Sequence, residues 1–118
     1  MGNKIIWSDT DPRQMSIFEH HSLTLPQYKH TFIDNMHDLI NTIITQDHNI
    51  LVTDHSNLSI NQINLSREFK SFNPHLSMWD YSLSELEANE VIYFDRAYKK
   101  PSGLYSLLKD LYRVSILR

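Results

Sequence analysis

The sequence predicts an α/β fold, a five-stranded parallel sheet with helices on both faces. Three observations carry that prediction. Short apolar runs of strand length alternate five times with helix-patterned stretches, and right-handed crossovers make such alternation a parallel sheet. One run, Ile50, Leu51 and Val52, shows no apolar–polar alternation, as expected of a strand covered on both faces. That run ends on Thr53 and Asp54. A carboxylate at a strand tip is costly unless it meets water, a metal, a cation or a substrate.

The elements follow in order. Lys4 to Ser8 is a short apolar first strand. Asp11 then Pro12 places an N-cap before a first-turn proline, opening a helix to about His21 with Met15 and Phe18 inward. After a turn at Pro26, Tyr28 to Ile33 reads as the second strand. Asn35 caps a second helix, where Met36, Leu39, Ile40, Ile43 and Ile44 keep the spacing of one buried face. The run ending at Asp54 is the third strand. A third helix covers about Ile60 to Phe72, burying Ile63, Phe69 and Phe72, and Asn73-Pro74 stops it. "HLSMWDYS", from His75 to Ser82, is the fourth strand. Ser82 and Ser84 each precede a glutamate by three residues (Glu85 and Glu87), the capping-box pattern for a fourth helix. "VIYFDRAY" contains the fifth strand. Ser102 caps the last helix, in which Leu104, Leu107, Leu108 and Leu111 form an apolar stripe. Lys109, Arg113 and Arg118 sit toward its negative end.

Composition removes several function classes. The chain has 118 residues, the size of one domain, read here as residues 1–118. Apolar residues make up 41% and charged residues 21%, an ordinary globular balance. No apolar run approaches the length of a membrane span, and the start is too short and too soon acidic for a secretory signal. The absence of cysteine excludes disulfide and thiolate chemistry and fits a cytoplasmic location. A net charge of −3 without a basic cluster argues against nucleic acid as a partner. Two glycines cannot make a glycine-rich phosphate loop. That disfavours a flavodoxin-like binder of nucleotide or flavin. The seven histidines show no ligand spacing and read as surface residues.

In open parallel sheets, ligands gather at the carboxyl ends of the strands, where the strand order reverses. In the flavodoxin-like order, 2-1-3-4-5, strands one and three are neighbours. Asp9 and Asp54 would then share one crevice, and Lys100, after strand five, would reach it from the other side.

Two acids after strand one, an acid ending strand three and Lys-Pro after strand five resemble the response-regulator receiver domain, of which CheY is the single-domain form. The resemblance spans essentially the whole chain. "KIIWSDTDP" is similar to the family's "KILIVDDDP", "ILVTD" to its phosphoacceptor strand, and "YKKPSGLYSLLKDL" to its Lys-Pro turn and final helix.

The resemblance implies a doubly wound domain with five helices and a site without enzymatic turnover beyond self-phosphotransfer and autodephosphorylation. Asp54 would accept a phosphoryl group from a phosphohistidine, on a histidine kinase or phosphotransfer protein. Mg²⁺ would be held by Asp9, Asp54 and the backbone carbonyl of Ser56. Lys100 would pair with the new charge, and a hydroxyl, with Ser82 the preferred candidate, would turn toward it. Output would pass to a protein effector, or a second copy, through the face of helix four, strand five and helix five, where Tyr105, Tyr112 and Tyr93 or Tyr98 fall. Output is expected through binding, unless the chain is a piece of a longer regulator.

The chain also departs from the family pattern. Thr10 stands where a second adjacent acid is usual, with Asp11 one step further. Counting back from Lys100 puts Trp79 or Asp80, rather than Ser82, at the switch position. Ala97 replaces the switch aromatic, and Tyr98 beside it points to the opposite face. These departures support an alternative: a phosphorylation-independent pseudo-receiver used for docking or dimerisation.

Overall fold

Strand β1 (Asn3–Ser8) pairs in parallel with both β2 (Tyr28–Ile33) and β3 (Ile50–Thr53). Strand β4 (Ser77–Ser82) pairs with β3, and β5 (Arg96–Lys99) closes the other edge. The order is β2-β1-β3-β4-β5, all parallel, as the alternation of elements requires. The computed structural model describes residues 3–57 and 67–116, with Asn89 described by its backbone alone.

Alternation along the strands divides the core in two. Ile5, Trp7, Ile50, Val52, Trp79 and Tyr81 point to one face, where Met15 and Phe18 of α1 (Pro12–Ser22) and Leu107 and Leu111 of α5 (Leu104–Ile116) cover them. Ile6, Leu51 and Met78 point to the other, against Leu39 and Ile43 of α2 (Met36–Thr45) and Phe69 of α3 (helical residues 67–72). Two of the predicted caps form: Asp11 accepts from the Arg13 amide at 2.9 Å, and Asn35 from the Asp38 amide at 2.8 Å.

Four local expectations fail, each for a physical reason. Ser82 and Ser84 open no helix: Ser82 is the last residue of β4, and α4 is one short turn, Ala88–Val91. Its capping box is made by Glu87 and Glu90 instead. Ser102 lies within a turn, and α5 starts beyond it with Leu104 N–H on the Pro101 carbonyl and Leu107 N–H on the Gly103 carbonyl. Phe72 is exposed, since α3 buries Phe69 and ends before the next inward position. His48 and His55 are buried rather than on the surface. Ile63 lies outside the described residues. Among the described residues no helix is long and apolar enough to cross a membrane.

Candidate functional site

Register builds the site. Ser8 is paired with Thr53 in the parallel ladder, so the residues that follow, Asp9 and Asp54, leave the sheet side by side. Ser82 is paired with Lys99, and the Lys100 amide donates to the Ser82 carbonyl at 2.8 Å. The Lys100 side chain can therefore cross the end of β4 toward both acids. Its Nζ donates to Asp9 Oδ2 and to Asp54 Oδ2, each at 2.7 Å. The Lys100–Pro101 peptide bond is cis. Three groups separated by up to 91 positions thus meet on one ammonium.

Every oxygen of the two carboxylates has a donor. Asp9 Oδ1 accepts from the Asp11 amide at 2.9 Å, and Asp54 Oδ1 accepts from the Ser56 amide and hydroxyl at 2.9 and 2.5 Å. Burial alone pushes the Asp54 carboxyl up, but the hydrogen bonds from Lys100 and Ser56 outweigh it, and the group sits below its ordinary value. For Lys100, burial lowers the pKa, and the bonds to Asp54 and Asp9 reverse that and raise it. Both partners are held in their charged forms. The arrangement suits a carboxylate that must act as a nucleophile, because Asp54 stays ionised without being removed from the rim.

Thr10 is exposed, and its hydroxyl donates to Asn57 Oδ1 at 3.3 Å. Thr10 therefore brings a hydroxyl, bonded to Asn57, where the resemblance puts a second acid. For Mg²⁺, two carboxylates and the Ser56 carbonyl supply the oxygen donors a hard cation takes. The residues fit the ion in kind, with one negative charge fewer than a triple-acid set.

The switch alternatives separate cleanly. Trp79 points into the core between the sheet and α5, so it plays no part at the rim. Asp80 and Ser82 share the opposite face and both reach the rim, where they join a buried cluster with His55. The His55 amide and its ring Nδ1 both lie 2.9 Å from Asp80 Oδ1. Ser82 Oγ is 2.8 Å from Asp80 Oδ2, 2.9 Å from His55 Nδ1 and 2.9 Å from the Ser84 carbonyl. Burial pushes the Asp80 carboxyl up, and the bonds from His55 and Ser82 only partly offset this. Histidine spacing in the sequence carries no sign of this cluster. The signal that could have shown it is strand register, which sets Asp80 opposite Thr53, one residue before Asp54 and two before His55.

Ala97, in place of an aromatic residue, lines a cavity of about 410 Å³ together with Asp80, Ser82, Phe94 and Arg96. Tyr98 points to the other face, as alternation predicts, and its hydroxyl meets Asp110 Oδ2 at 2.6 Å. Tyr105 and Tyr112 are exposed on α5, and Val91 and Ile92 are exposed at the end of α4.

No protein-family model matches the chain, and no curated protein matches it in sequence. Solved structures match it in shape. A CheY-like response-regulator receiver domain from Methanospirillum hungatei superposes with a TM-score of 0.81 at 13% identity, over 98% of this chain and 94% of that one. A protein assigned to pilus assembly in Burkholderia thailandensis gives 0.75 at 13% identity, over 94% and 98%. A response regulator from Burkholderia pseudomallei, with a phosphorylated aspartic acid and a calcium ion, gives 0.70 at 14% identity, over 92% and 66%. These likenesses establish the fold: the chain has the CheY-like, flavodoxin-like architecture that its sequence resembles.

Proposed function

We propose that residues 1–118 form a receiver-type signalling domain in which Asp54 accepts a phosphoryl group and the altered rim is read by a protein partner. One observation carries this reading: Asp9, Asp54 and Lys100 converge with 2.7 Å bonds on a single ammonium, and Asp54 is held ionised. An Asp54 oxygen would form the new O–P bond as the P–N bond of a phosphohistidine breaks, and the imidazole of the donor would leave. Lys100 would then follow the negative charge onto the phosphoryl oxygens. Mg²⁺, held by Asp9, Asp54 and the Ser56 carbonyl, would supply neutralisation of those same oxygens. Water would later cleave the acyl phosphate, so the chemistry is self-transfer and autodephosphorylation.

The donor would be a histidine kinase or phosphotransfer protein in the cytoplasm. The effector would be a protein, docking on the exposed apolar side chains of α4 and α5. Ser82 is the hydroxyl nearest this role, but it is already held by Asp80, His55 and Ser84. That tether, with Ala97 in the aromatic position, favours a second reading in which the fold serves docking or dimerisation without phosphoryl chemistry.

Acetyl phosphate with Mg²⁺, read by intact-mass spectrometry, separates the two. The proposal expects one phosphoryl group on the wild-type chain and none on Asp54→Asn. An unmodified wild-type chain at millimolar donor leaves only the docking reading.

A further inference from the structure

We propose that Asp54, His55 and Asp80 form a binding site for a divalent transition-metal ion, on the side of Asp54 away from Asp9. One ligand atom from each of the three residues lies within 4.8 Å of the other two, and all three residues are buried. Closing that triangle onto an ion at about 2.0–2.2 Å needs movements of roughly an ångström or less. The donor set is one imidazole nitrogen and two carboxylates. Such a mixture suits Zn²⁺ or Mn²⁺, whereas Mg²⁺ prefers oxygen alone.

A second observation points the same way. Ser82 has one hydroxyl hydrogen, yet two acceptors face its oxygen: Asp80 Oδ2 at 2.8 Å and the Ser84 carbonyl at 2.9 Å. His55 Nδ1 is shared between Asp80 Oδ1 and Ser82 Oγ, both at 2.9 Å. Protonating His55 at Nε2 serves only the Ser84 hydroxyl, 3.3 Å away, and leaves the deficit at Ser82. With Asp80 ionised, the cluster is therefore one donor short among the described residues, and Asp80, Ser82 and Ser84 line a cavity through which an ion can reach it. A cation on Asp80 and His55 Nδ1 supplies the missing positive charge and releases the Ser82 hydrogen to the Ser84 carbonyl.

The outer contacts of a metal centre are already in place. The Ser84 hydroxyl faces His55 Nε2 and fixes the ring, and the His55 amide orients the Asp80 carboxylate. Asp54 keeps capacity for one more partner: Oδ1 has two donors, but Oδ2 has only Lys100. The site differs from the Mg²⁺ set in needing Asp80 and His55 and in not needing Asp9.

The test starts from wild-type crystals grown with one equivalent of Zn²⁺, located by anomalous diffraction. One ion bonded to Asp54, His55 and Asp80 is expected. An ion only at surface histidines, or beside Asp9 and the Ser56 carbonyl, or none, overturns the site. In solution, calorimetry should show Zn²⁺ affinity falling about tenfold or more in Asp80→Asn and unchanged in His37→Gln, at an exposed histidine. Equal losses in both, or none in Asp80→Asn, would refute it, and the crystal result decides if Asp80→Asn does not fold. Neither measurement involves phosphoryl donor, so the site can stand where phosphotransfer fails, and the reverse.

Discussion

Two halves of one sheet rim, a few ångströms apart, treat buried carboxylates in opposite ways. On the β1 and β3 side, Asp9 and Asp54 share the Lys100 ammonium, and each of their oxygens has a donor. On the β4 side, Asp80 has only an imidazole, an amide and a hydroxyl that is already oversubscribed. The first half holds Asp54 below its ordinary pKa; the second leaves Asp80 above it. The imidazole, amide and hydroxyl offset the burial of Asp80 less than the Lys100 ammonium and Ser56 offset that of Asp54.

The largest effect should come from removing the shared cation. Lys100→Ala leaves two buried carboxylates facing each other and is expected to cost about 3 kcal/mol in urea unfolding at neutral pH. A loss under about 1 kcal/mol would mean that the ammonium does not organise that half. Gly103→Ala comes next. A Cβ there would lie 2.8 Å from both the nitrogen and the carbonyl oxygen of Lys99, backbone atoms that fix where Lys100 starts. A cost of about 2 kcal/mol is expected, together with slower modification of Asp54; an unchanged midpoint would show that the Lys100 turn adapts freely.

Asp80→Asn should act with the opposite sign. Removing an under-neutralised charge is expected to stabilise the chain by about 1 kcal/mol at neutral pH. The two acids also differ in pH dependence. Asp54, depressed in the fold, contributes stability above its ordinary 3.8 that is lost as pH falls through the folded value. Asp80, raised in the fold, contributes stability that is complete below 3.8 and lost as pH rises through its folded value. Stability curves of Asp54→Asn and Asp80→Asn should therefore depart from wild type on opposite limbs. Departures in the same direction would remove the contrast. The smallest effect is expected from Ala97→Tyr, on an exposed position: a stability change within about 0.5 kcal/mol. By filling the cavity beside Asp80 it should slow solvent exchange of the His55 and Ser82 amides. Unchanged exchange would place the cavity outside the cluster's access route.

The paired half was legible in the sequence because each of its parts sits at the end of a well-marked element. Asp9 and Asp54 terminate apolar runs, and Lys100 precedes a proline. Parallel order then does the rest. The β4 half was not legible. "HLSMWDYS" places the strand's end at Ser82, as found, but alternates imperfectly, so its inward face could not be set from periodicity. Ser82 read both as the strand's last residue and as a helix cap, and the strand keeps it buried at its end. His55 gave no signal because its partner lies 25 positions away on a strand whose register only the fold supplies. Charged strand-end residues with apolar flanks announce themselves, whereas polar residues satisfied across strands do not.

The most direct measurement is a crystal structure of the chain with beryllofluoride and Mg²⁺. The account predicts beryllofluoride on an Asp54 carboxylate oxygen, with Lys100 Nζ moved from that carboxylate onto a fluorine and Asp9 still beside it. Beryllofluoride missing from Asp54, or Lys100 turned out to solvent while it is bound, would contradict the account.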